Sequence, residues 1–156
     1  MLPALADRTG RSIVALLSHA DTDLVALRRA RASLPADIEP LGISLVRLQT
    51  EAQLSLLLEG DLGRARIVVV RLHGELESLI GFPRLREWAV RQTVHLVVIS
   101  GTGEPRADFA SAGTVGLDVV EAARLYLTIG GERNVGECLK FLADRLLLIV
   151  RREESL

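Results

Sequence analysis

Runs of apolar residues divide the chain at regular intervals. Four read as strands: Ser12 to Ser18 (SIVALLS), Ile43 to Leu48 (ISLVRL), Arg66 to Leu72 (RIVVVRL) and Val94 to Ser100 (VHLVVIS). The third and fourth are rich in β-branched residues and nearly continuous rather than alternating, as expected of strands covered on both faces. Between the runs, apolar residues recur at helical spacing over Asp21 to Ser33, Glu51 to Leu58 and Leu85 to Arg91. In the first of these, Leu24 and Leu27 mark one face, with Arg28, Arg29 and Arg31 on others. Asp21 or Thr22 can cap that helix and Thr50 the next, each directly after a strand.

Strands that alternate with helices of this length pair in parallel through right-handed crossovers. The pattern therefore predicts one α/β domain over 1–156, with a Rossmann/flavodoxin-like parallel four-stranded sheet of order 2-1-3-4 and helices on both faces. After the fourth strand, Gly101-Thr102-Gly103-Glu104-Pro105-Arg106 reads as a loop, and small and polar residues from Ala107 to Gly113 lead away from the sheet. A C-terminal helical hairpin follows, Leu117 to Ile129 and Val135 to about Val150. The glycine pair Gly130-Gly131 stops the first helix and Asn134 caps the second. In the last helix Val135, Leu139, Leu142, Leu146 and Ile149 form a stripe, widened by Phe141, Leu147, Leu148 and Val150. Such a helix either packs deeply on the sheet or offers an apolar surface for a homo-oligomer, which a charge at Leu148 would weaken.

Composition narrows the class. At 156 residues the chain can bury roughly 70% of the surface of its unfolded form. Hydrophobic residues at 49% and charged residues at 25% exclude a disordered or low-complexity chain. Nineteen Lys and Arg against twenty Asp and Glu leave a net charge of −1, with no overall field to hold nucleic acid or an acidic membrane. Cys138, alone and within an apolar helical pattern, reads as a small buried side chain in a reducing compartment. Met1 to Gly10 lacks the apolar core of a targeting segment, and no apolar run approaches the roughly 20 residues of a membrane span. A cytoplasmic location is expected.

Candidate chemistry follows from the topology, because ligands of such sheets sit outside the carboxyl ends of the strands. Ser18, His19, Asp21 and Asp23 follow strand one, and His73, Gly74 and Glu75 follow its neighbour, strand three. The candidate ligand edge is His19, Asp21, His73 and Glu75. Two histidines with carboxylates can bind a hard or borderline metal or share a proton. The same residues equally suit structural roles, Asp21 and Asp23 at the positive end of a helix and His73 on the surface before a glycine turn. His95 reads as a packed or edge histidine within its strand, and Ser100 and Ser111 have no recognisable triad partners. The only Gly-x-Gly, Gly101 and Gly103, follows the last strand and is broken by Pro105, and no loop ends in Gly-Lys-Ser or Gly-Lys-Thr. The chain is expected to bind neither dinucleotide nor ATP.

The succession Ser12-Ile-Val-Ala-Leu-Leu-Ser18, His19-Ala-Asp-Thr-Asp-Leu24, Val69-Val-Arg-Leu-His-Gly74, Ser111-Ala-Gly-Thr-Val115, Tyr126-Leu-Thr-Ile-Gly-Gly-Glu-Arg-Asn134 and Lys140-Phe-Leu-Ala-Asp144 resembles the N-terminal region of the aerobic cobaltochelatase large subunit, a relative of the magnesium-chelatase H subunit. The resemblance runs from about Ser12 to Asp144, most specifically over Tyr126 to Asp144. It implies a component of an ATP-dependent ligase complex that inserts a metal into a tetrapyrrole in cobalamin biosynthesis. By the same resemblance the partners are other chelatase domains or AAA+ ATPase subunits. Cobalt or magnesium and ATP belong to the whole complex, and the isolated chain, with no cofactor of its own, is inactive. No catalytic residue carries over. The alternative reading is a free-standing Rossmann-like interaction or regulatory domain without enzymatic activity.

Overall fold

A computed structural model describes residues 11–147. The elements run β1 (Ser12–Ser18), α1 (Asp21–Ala30), β2 (Ile38–Ser44), α2 (Glu51–Glu59), β3 (Ala65–Leu72), α3 (Phe82–Gln92), β4 (His95–Ser100), α4 (Ala107–Ala112), α5 (Leu117–Ile129) and α6 (Gly131–Leu146). The four strands are parallel in the order β2-β1-β3-β4, as the alternation of elements predicts. Side-chain parity then divides the core. Val14, Leu16, Ile67, Val69, Val97 and Ile99 face α1, α5 and α6, whereas Ala15, Leu17, Val68, Val70, Leu96 and Val98 face α2, α3 and α4. Because both faces are covered, β3 and β4 need apolar residues at both parities, which accounts for their continuous runs.

The second strand departs from expectation. It spans Ile38–Ser44 rather than Ile43 to Leu48, and so contains Pro40 and Gly42, two residues that argue against a strand in sequence. The parallel ladder explains the tolerance. Ser12 N–H donates to Asp37 O and Leu45 N–H to Ser18 O, so the odd-numbered residues of this segment turn their backbone groups toward β1 and the even-numbered ones turn outward. The donor that Pro40 lacks would have faced away from the sheet, on an edge strand where nothing is lost. Leu45 and Leu48 are apolar because the turn after β2 tucks them into the core under α2 and α3.

Other boundaries shift for similar reasons. The third helix starts at Phe82, ahead of Leu85, after Gly81 at φ 73° and with Pro83 in its first turn, where a missing N–H is harmless. The small and polar segment after the Gly101 to Arg106 loop forms a short helix, α4, held down by buried Phe109 and Ala112. The first helix is preceded by extended Ala20, which makes no side-chain cap, so neither Asp21 nor Thr22 is its cap. The cap of α2 is as expected: Gln53 N–H donates to Thr50 Oγ1 and Thr50 N–H to Gln53 Oε1, a reciprocal pair. The last helix begins at Gly131, so Asn134 lies inside it and its Nδ2 donates back to Gly130 O at 2.9 Å instead of capping a new start. Val135, Cys138, Leu139 and Leu142 are buried against the sheet and α1. Burial pushes the Cys138 thiol up to about 12, which leaves it unreactive. Leu147 is buried as well, and Leu148, Ile149 and Val150 lie outside the described residues. Among the described residues no helix is long and apolar enough to cross a membrane.

Candidate functional site

The carboxyl ends of β1 and β3 lie side by side, Ser18 opposite Arg71. A charged residue at the end of a doubly covered strand needs a partner, and Arg71 finds it in Asp23 on the inner face of α1. Arg71 Nη1 donates to Asp23 Oδ1 and Oδ2 at 2.7 and 2.8 Å, with the two side chains only 11% and 6% exposed. Ser18 Oγ donates to Asp23 Oδ2 at 2.7 Å and accepts from Ala20 N–H, while Arg71 Nη2 donates to Gly101 O at 3.2 Å. Arg71 Nε is buried and has no hydrogen-bond partner among the described residues. This brace ties β1, α1, β3 and the loop after β4 together beneath the edge.

Two of the four candidate edge residues come together above the brace. His73 N–H donates to His19 Nδ1 at 3.1 Å, and the two rings stack with centroids 6.0 Å apart and planes 21° from parallel. An accepting Nδ1 places the proton of neutral His19 on Nε2. Burial, and after it the neighbouring His73, lower the His19 pKa. The loop after β4 makes room for the pair: a Cβ at Gly101 would lie 1.8 Å from His73 Cδ2, so any larger residue there would push the His73 ring from its present place.

Glu75 and Asp21 are placed elsewhere. Glu75 accepts from Arg106 Nη2 at 2.7 Å, and Arg106 also pairs with Asp108 at 2.7 Å and lies 4.4 Å over the Phe109 ring. Hydrogen bonds to Asp108 and then Glu75 raise the Arg106 pKa, and the same contact lowers that of Asp108. Asp21 lines a groove between α1 and β2. Among the described residues, no group of three or more His, Cys, Asp or Glu is arranged to hold a metal ion. The edge thus offers an imidazole donor and a second imidazole, while Asp23 and Glu75 are each engaged by an arginine. The brace of Ser18, Asp23 and Arg71 is absent from the four-residue edge read in sequence. Its signal was Arg71 itself, a guanidinium closing an otherwise apolar strand.

Fold and edge define a doubly wound α/β domain whose strand ends are cross-braced and carry a stacked histidine pair. No family model matches the chain. Its sequence is 28% identical over 134 residues to the aerobic cobaltochelatase subunit CobN of Pseudomonas aeruginosa, a match covering 85% of this chain and 11% of that protein. Its fold matches the catalytic subunit of cobaltochelatase from Mycobacterium tuberculosis with a TM-score of 0.68 at 28% identity, over 88% of this chain and 10% of that one. The chain, which spans about a tenth of the length of these relatives, is homologous to a segment of the cobaltochelatase subunit.

Proposed function

We propose that this chain is a component of a cobaltochelatase-type complex that acts in tetrapyrrole metallation for cobalamin biosynthesis in the cytoplasm, by assembly rather than by chemistry of its own. The observation that carries the reading is the agreement of sequence and fold with one chelatase subunit along 85% and 88% of this chain. Metal insertion needs ligands that strip the ion of water, a base for the pyrrole protons and a cavity for the macrocycle. The strand-end edge supplies two imidazoles, and its nearest carboxylates are spoken for by Arg71 and Arg106. Metal, ATP and the catalytic groups then come from other chelatase domains and AAA+ ATPase subunits. The histidine pair is the part of the four-residue edge where a small ligand would meet this chain.

Co-expression with the remaining components of a cobaltochelatase tests the proposal. The chain is expected to co-purify with at least one of them, and metal insertion is expected from the assembly and not from the chain alone. Failure to recover any chelatase component would favour the free-standing interaction domain.

A further inference from the structure

The two edges of the sheet are treated differently. At the β4 edge, Leu96 N–H donates to Thr114 Oγ1 at 2.8 Å and Thr114 N–H to Leu96 O at 2.8 Å, so the segment after α4 covers it. Gly113 makes this approach possible, since a Cβ there would lie 2.4 Å from Leu96 O. At the β2 edge the even-numbered residues turn their backbone outward. Ile38 N–H donates to Pro35 O, Pro40 has no N–H, and Ser44 O accepts from Arg47. That leaves Ile38 O, Pro40 O, both groups of Gly42 and the Ser44 N–H without a backbone partner among the described residues, a short stretch of open ladder that includes Gly42.

Each side of this stretch opens into a groove. On the α1 side a groove of about 610 Å³ is lined by Leu24, Pro40 and Gly42 with Arg28, Arg31 and Arg47, three guanidinium groups against the single carboxylate of Asp21. Arg31 is paired with Glu39 at 2.8 Å, whereas Arg28 and Arg47 make no ion pair among the described residues. On the α2 side a groove of about 410 Å³ is lined by Ile43, Leu56 and Leu57, and it shares Gly42, Ser44 and Arg47 with the first. Leu56 is 69% exposed and the adjoining Val46 57%.

We propose that the open edge of β2 docks an extended acidic segment of a partner protein, which adds to the sheet at Gly42 and Ser44. Strand addition places successive side chains of the incoming segment on opposite faces. Those on the α1 side meet Arg28 and Arg47, which favour carboxylates; those on the α2 side meet Leu56 and Leu57, which favour apolar groups. A segment that alternates acidic and apolar residues satisfies the backbone and both grooves at once. The inference does not depend on the chelatase reading.

The test is a titration of the isotope-labelled chain with a short blocked peptide alternating glutamate and valine, read by backbone amide signals and hydrogen exchange. Expected are shifts centred on Gly42, Ser44 and Arg47, slowed exchange of the Gly42 and Ser44 amides, and weaker binding of the same peptide with lysine for glutamate. The double variant Arg28→Glu, Arg47→Glu should weaken the glutamate peptide by about tenfold or more and reverse the preference, with amide signals away from the edge unchanged. Equal binding of the two peptides, perturbation elsewhere or nowhere, indifference to the charge reversal, or free glutamate perturbing the edge amides as well as the peptide does would each overturn the proposal.

Discussion

Arg71 and Asp23 place a full ion pair at the bottom of the candidate site, with Ser18 completing the carboxylate's hydrogen bonds. A buried pair adds little net stability over apolar residues of the same shape, but removing one partner strands the other charge away from water. Asp23→Ala is therefore expected to destabilise the chain by about 3 to 5 kcal/mol, with much of the loss recovered when Arg71→Met is added. Urea denaturation monitored by circular dichroism checks both. A cost below about 1 kcal/mol for the single change would show that Arg71 finds water or another acceptor, and that the brace does not hold the strand ends. At this scale the strand-end positions of His19 and His73 and the Thr50 cap were legible from position alone, whereas the reciprocal bond from Gln53 emerged only in the structure. Asp23 was not separable from Asp21 by sequence, because which of two nearby helical carboxylates turns inward depends on how α1 is rotated against β3.

The elements were legible where local chemistry and burial agree. The bounds of β1 and α5 follow the pattern of apolar residues, and the Thr50 cap follows from a threonine directly ahead of helical spacing. Agreement fails at β2, where pairing with β1 overrides Pro40 and Gly42, and at α4, where Phe109 anchors a turn whose other residues are small or polar. Helix α3 ends against its local preference, with Thr93 left-handed at φ 58° and Val94 N–H donating to Ala89 O at 2.8 Å. A β-branched residue is strained there, and glycine is the residue that this type of helix stop favours. Thr93→Gly, at an exposed position, is expected to stabilise the chain by about 0.5 to 1 kcal/mol, visible as a higher denaturation midpoint with an unchanged slope. Loss of stability would mean that the threonine side chain contributes more to this end than its backbone costs.

For the whole molecule, titrating groups on several elements act in one direction with pH. His19, through burial and then its neighbour His73, and His95, through burial and then Arg66, are both lowered. Just below the ordinary histidine value of about 6.5, the unfolded chain thus binds more protons than the folded one. Their contribution is complete above that value and is lost as pH falls toward the lower folded values. Asp118, held down by Arg145, and Glu121, held down by Arg124, behave alike at lower pH: their contribution is present above the ordinary carboxylate range and lost below it. Stability is expected to fall from pH 7.5 to 5.5 and further toward pH 3, as denaturation midpoints at these pH values would show, and His95→Gln should flatten the first step. A midpoint constant from pH 7.5 to 5.5 in the unaltered chain would contradict the histidine assignment. The order of apolar runs and helical spacings was sufficient to determine the parallel sheet, its 2-1-3-4 order and the neighbouring carboxyl ends of β1 and β3 that carry His19 and His73, because crossover handedness and two-sided burial leave few other ways to hide those runs. Only the tertiary structure decided that Arg71 closes on Asp23, that Glu75 turns to Arg106 while His73 turns to His19, and that the β4 edge is covered while, among the described residues, Gly42 stands open. Those outcomes depend on distances between residues remote in sequence, set by helix rotation and strand register, which no periodicity along the chain encodes.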